Sequence, residues 1–152
     1  MIMKYELTTN TKIIESGVKL YQIRALKDFG NIKTGDLGGY VQSENNLSQD
    51  GNAWVSDEAR VYGNAHVSGN AWVSGEARAY DNALVHGKAR VFGNACVYDR
   101  ARVFSEARVF GEAHISDEAR VSGEAWVYGE AHVSGEARVS GEARVSGNAW
   151  IF

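Results

Sequence analysis

The 152-residue chain contains no proline and a single cysteine, Cys96. The absence of proline excludes collagen, polyproline segments and stiff proline-rich linkers. One cysteine excludes an internal disulfide. No apolar run approaches the roughly 20 residues that span a bilayer. The stretch from Met1 to Asn10 lacks the apolar centre of a secretion signal. These absences point to a cytoplasmic protein with no membrane partner. A formal net charge of −3 argues against a globally basic nucleic-acid binder. No threonine follows Thr34, so the threonine ladder of a flat ice-binding face is missing too. The length suits one domain.

Glycine is abundant instead, with 17 residues, and its spacing is regular. From Val55 to Trp150 the chain divides into sixteen consecutive six-residue units without insertion, such as Val55-Ser56-Asp57-Glu58-Ala59-Arg60 and Val139-Ser140-Gly141-Glu142-Ala143-Arg144. The first position is valine except at Ala79 and Ile115, and the fifth is always alanine. The third is glycine in eleven units, with Asp57, Asp81, Asp99, Asp117 and Ser105 in the others.

Each column has a physical reading. Ala-x-Val-x alternates inward apolar and outward positions, the period of a half-buried strand. Glycine follows because it reaches positive φ without steric cost, and aspartate tolerates that region better than most residues. A unit is therefore expected to be a four-residue strand and a two-residue corner. Strands that turn the same way every six residues wind into a coil. Three units close a triangular prism whose successive coils pair in parallel. Sixteen units make about five coils, on the order of 25 Å tall at the spacing of paired strands. Pattern and spacing over 55–152 resemble the hexapeptide-repeat proteins, and the resemblance implies a left-handed parallel β-helix. The expected fold is all-β, a triangular solenoid with a small N-terminal β cap.

Residues 1–48 do not repeat and are expected to cap the first coil, with the solenoid at 49–152. Lys4 to Thr8 and Lys19 to Leu26 read as strands joined by a turn at Glu15-Ser16-Gly17, followed by a loop from Asn31 to Gly39. Val41 and Leu47 are six apart, so irregular coils can begin there. Ala53 is two residues out of step, which predicts a bulge near Gly51-Asn52. The strings Leu37-Gly38-Gly39-Tyr40-Val41 and Gly51-Asn52-Ala53-Trp54-Val55 resemble the cap of uncharacterised hexapeptide-repeat proteins of bacteria and their phages. At the other end, Trp150, Ile151 and Phe152 remain in register and are expected to form a self-association edge.

Residues 18 apart should stack on one face. The first face gathers Trp54, Trp72, Arg90 and Phe92 with Arg108, Phe110, Trp126 and Tyr128. Aromatic residues and arginine are the composition of interaction hot spots. They also form ladders that support neighbouring coils. The candidate binding surface is this face, for a second copy or another protein. The stretch 106–152 holds eight acids and four arginines, whereas 49–105 is balanced at six each. The glutamates at corners predict solubility and pairing with arginine columns, or attraction of a basic partner.

Many proteins of the resembled family are acyltransferases, with a histidine near a projecting loop and a pocket walled by neighbouring subunits. No loop interrupts the sixteen units, and no catalytic residue is assigned. The only histidines are His66, His86, His114 and His132. Cys96, His114 and His132 should align in one column, but a straight column at about 4.8 Å does not converge on a metal as zinc ligands do. No metal or cofactor is expected. The sequence therefore points to a non-enzymatic rod that assembles with itself or binds a macromolecule, inhibition of a host protein being the form this takes if the gene is viral. The alternative is an acyltransferase with a site between subunits.

Overall fold

The repeat leaves each unit little choice of conformation, and the computed structural model describes residues 3–152. Residues 1 and 2, the start of the expected cap, lie outside the described residues. All sixteen corner positions lie in the left-handed region of backbone space. The eleven glycines have φ of 62° to 68°, and the four aspartates and Ser105 have φ of 55° to 59°. The aspartates offset their strain with a bond glycine cannot make. The carboxylates of Asp57, Asp99 and Asp117 accept N–H groups from Gly75, Asp117 and Gly135 in the next coil, at 3.1, 3.1 and 2.9 Å.

The coils stack in parallel, 18 residues to a turn. Wherever a further coil follows, the sixth, second and fourth residues of a unit donate N–H bonds to it. Arg60, Tyr62 and Asn64 bond to the carbonyls of Ala77, Ala79 and Asp81 at 3.0, 3.0 and 2.7 Å. The regular strands are two residues long, as in Arg60–Val61, where four were expected. The alanine N–H is taken up by the corner itself: Ala65 donates to Tyr62 O at 3.3 Å and so leaves the ladder. Three sheets result, of nine, six and five strands. Five regular coils and one irregular coil before them make about six turns. Alanines from Ala53 to Ala131 and the first-position residues from Val55 to Val133 are fully buried, forming one continuous core.

The cap consists of β1 (Tyr5–Ile13), β2 (Lys19–Ala25) and β3 (Leu37–Val41). β1 and β2 pair antiparallel, as do β2 and β3, and β3 then runs parallel to Arg60–Val61. The first strand extends to Ile13, beyond the expected Thr8, and the loop after Asn31 ends at Leu37 rather than Gly39. Leu47 bridges to Val67, so the irregular first coil does start at Val41 and Leu47. Gly51 and Asn52 are in register, with Asn52 N–H donating to Gly69 O at 3.0 Å. Ser48 is in register too, bonding to Val67 O at 2.9 Å. The two extra residues expected near Gly51-Asn52 are thus Gln49 and Asp50, immediately before it. Gln49 Oε1 accepts the N–H groups of Lys4 and Tyr5 at 2.7 and 3.2 Å, so the insertion docks the cap.

Candidate binding face

The six-stranded sheet carries the candidate surface. Its outward column runs Trp54, Trp72, Arg90, Arg108, Trp126, Arg144, each residue paired with the one 18 further on. Because outward side chains on parallel strands stand directly over one another, like rings meet face to face. Phe92 and Phe110 stack at 4.8 Å with ring planes 3° apart, and Phe110 and Tyr128 at 4.9 Å and 2°. Trp126 meets Phe110 and Tyr128 edge-on, at 5.6 and 6.4 Å. The guanidinium carbons of Arg108 and Arg144 lie 5.4 and 4.9 Å from the Trp126 ring. Trp126 is thus held between two cations, at distances where cation–π attraction operates.

Trp54 is not on the open part of this face. It is 1% exposed, under rings of the cap: Tyr5 lies 6.4 Å and Phe29 5.3 Å away, both edge-on. The column pattern put it with Trp72, but the cap folds over the first rung. Trp150 and Phe152, at 64% and 86%, are the most exposed of the expected edge residues, while Ile151 is partly buried.

Aromatic stacking extends beyond the first face. Tyr62, Tyr80 and Tyr98 form a ladder on the second face at 5.1 Å per step. His114, His132 and Trp150 continue stacking there at 4.8 and 4.5 Å. On the third face His86 stacks on Phe104 at 5.1 Å. The spacing of 18 already sets these rings over one another in the sequence. Cys96, His114 and His132 do pair in one column. Among the described residues no group of three or more His, Cys, Asp or Glu is placed to hold a metal. The Nδ1 atom of His114 is buried with no hydrogen-bond partner among the described residues.

The electrostatics follow from burial. Burial pushes the His86 pKa down, and the neighbouring Arg102 charge adds to this. Burial also lowers His114, helped by His132 and opposed by Glu112. The Cys96 thiol is pushed up by burial, against the pull of Arg78. Among the described residues the expected pairing of glutamate corners with arginine columns does not form. Among the described residues the ion pairs are Lys12 with Glu58 and Arg24 with Glu6, both involving the cap. Glu106, Glu124 and Glu142 instead line a groove of about 560 Å³ together with Arg108, Trp126 and Arg144. A second hollow of about 470 Å³ lies where the loop at Phe29 meets Trp72 and Phe92.

Comparison with known proteins agrees with the architecture. Residues 59–75 and 137–151 match the family described as YdcK Beta solenoid repeat. The chain is also 36% identical over 73 residues to a protein named uncharacterized acetyltransferase YdcK, from Escherichia coli strain K12. That alignment covers 43% of this chain and 22% of the relative, so the chain spans only about a fifth of its length.

Proposed function

We propose that this β-solenoid repeat protein is a non-enzymatic binding rod that assembles with itself or engages another protein through its aromatic and arginine face. The observation that carries the reading is the ordering of that face before any partner arrives. Phe92, Phe110 and Tyr128 are locked in a parallel ladder, and Trp126 is clamped between Arg108 and Arg144. Association normally costs about 0.5–1.5 kcal/mol for each side chain immobilised at an interface. A ladder fixed by its own coils has already met most of that cost. Large aromatic residues and arginine are also the groups that dominate interface energies. A further coil, from a second copy or from chain beyond this sequence, could pair on the edge at Trp150, Ile151 and Phe152, whose outward groups are exposed.

The test is the double variant Trp72→Ala/Phe110→Ala. Light scattering at micromolar concentration is expected to show the wild type larger than a 16.6 kDa monomer, or bound to its partner, and the variant monomeric with a nearly unchanged Tm. A wild type that stays monomeric and a face that cross-links to no protein in its native host would sink the reading. The relative's name raises acetyl transfer as a second reading. Release of free coenzyme A from acetyl-CoA, lost in His86→Ala or His114→Ala, would favour it over the rod.

A further inference from the structure

We propose that the hollow between the N-terminal loop and the upper end of the aromatic face receives one aromatic side chain, tryptophan or tyrosine, from a protein segment with a neighbouring carboxylate. This rests on the reading of the face as a protein-binding surface and names what its upper end recognises. The ladder itself sets the geometry. Its rungs at Phe92, Phe110 and Tyr128 repeat at 4.8 and 4.9 Å. One coil nearer the cap, the same column holds Ser74, whose hydroxymethyl group is too short to cover a ring. Phe92 therefore has one face on Phe110 and the other toward the hollow. Trp72 lines the same space, half-buried, and has no stacked or edge-on ring partner among the described residues. Phe29 closes the top.

The rim adds polarity and charge. Asn31, Asn52 and Asn70 line the hollow. Their side chains make one hydrogen bond among the described residues, Asn52 N–H to Asn70 Oδ1 at 3.3 Å. The other amide donors and acceptors are available to an indole N–H or a phenol hydroxyl. The corner column changes character here, reading Asn52, Asn70, Lys88 and only then Glu106, Glu124, Glu142. Arg90 is the one charged residue lining the hollow and makes no ion pair among the described residues; with Lys88 it also borders the neighbouring groove, which holds Glu106 and Glu124. No aspartate or glutamate lines the hollow itself, so on that side the guanidinium favours an acidic ligand. About 470 Å³ lies within the range of small-ligand sites and suits a one- or two-ring group. An inserted ring would add one rung to the ladder, stacked on Phe92 as Phe110 is from the other side.

The experiment titrates ¹⁵N-labelled full chain with short blocked peptides and follows the Trp72 indole N–H signal, assigned with Trp72→Phe. Acetyl-Asp-Trp-Asp-amide is expected to bind at least tenfold more tightly than acetyl-Asp-Leu-Asp-amide or acetyl-Lys-Trp-Lys-amide. Ser74→Tyr, which supplies the rung internally, is expected to weaken binding at least tenfold while Tm holds or rises. Arg90→Gln is expected to reduce the acidic peptide's affinity to that of acetyl-Gly-Trp-Gly-amide, which keeps the proposal open to refutation if Ser74→Tyr does not fold. Equal binding of the leucine peptide, unchanged affinity in a folded Ser74→Tyr, or insensitivity to Arg90→Gln would overturn it. So would AMP displacing the tryptophan peptide at lower concentration, which would mark a nucleotide site. The rod fails separately, if Trp72→Ala/Phe110→Ala leaves assembly and partner binding intact whatever the peptides do.

Discussion

Ser105 and Asp117 occupy the same corner conformation, at φ of 59° and 55°, yet they differ in what the side chain returns. Ser105 makes no side-chain hydrogen bond among the described residues, whereas Asp117 accepts the Gly135 N–H at 2.9 Å. Left-handed backbone costs an L-residue roughly 1–2 kcal/mol, and glycine in the unfolded chain gives back only part of that. Ser105→Gly is therefore expected to stabilise by about 0.5 kcal/mol. Asp117→Gly is expected to be near neutral, because the lost bond offsets the relieved strain. Paired thermal melts check the order, and an Asp117→Gly gain larger than the Ser105→Gly gain would refute it.

Lys4 is the other residue with an unusual environment. It is fully buried, and Nζ donates to Ala53 O at 2.8 Å and to the carbonyls of Asp50 and Gly51 at 3.4 Å. Desolvation, helped by Lys27 and opposed by Asp50, lowers its pKa from 10.5 to about 8. A lysine whose pKa falls on folding binds its proton more weakly in the native state. Its contribution to stability therefore grows as pH rises from about 8 toward 10.5. Burial raises the pKa of Tyr5, Tyr62 and Tyr80 above 10, so stability is lost again as pH climbs past 10. At the acid side, His86 and His114 resist protonation when folded, so stability declines as pH falls through 6.5. Denaturant titrations across pH 5–11 should show this profile, and Lys4→Met should flatten the rise above pH 8.

At the scale of the element, a coil is stable only through its neighbours. Val109 lies in the middle of the stack, fully buried between Val91 and Val127. Val109→Asp would bury a carboxylate with no partner, at a cost of about 3–5 kcal/mol. It is expected to unfold the chain or split the stack, and a Tm within a few degrees of wild type would refute the register. The β3 strand has a different constraint. A Cβ on Gly38 would come within 2.5 Å of Val55 O and 2.6 Å of an Ile23 side-chain carbon. Gly38→Ala should therefore push β3 off the first coil, visible as loss of hydrogen-exchange protection at Tyr40 and Gln42, whose N–H groups bond to Ala59 and Val61. The repeat made the regular elements legible at once. It showed that two residues are inserted near Gly51-Asn52 but not what Gln49 does there, because its partner is the backbone of Lys4 and Tyr5, which lies outside the repeat.

For the whole molecule, the cap and solenoid share one core that runs from Tyr5 through Trp54 to Val139. Trp54 is the seam, enclosed by Tyr5 and Phe29. Trp54→Ala should cost about 3–5 kcal/mol. Hydrogen exchange is expected to show Tyr5–Ile13 released while the coils around 91–133 keep their protection. Uniform loss of protection would instead mean that the chain unfolds as one unit.

The sequence by itself determined the solenoid: a six-residue period with glycine or aspartate at each corner leaves the backbone one way to turn, and spacing of 18 decides which residues share a column. The tertiary structure decided what each column is for. It buried Trp54 under the cap, set the glutamate corners beside the arginine columns without ion pairs among the described residues, and left Phe92 with one face toward an asparagine-lined hollow. Period is a local property of the chain, whereas exposure and pairing depend on residues far away in sequence. The loop at Phe29 and the backbone of Lys4 carry no trace of the repeat they cover.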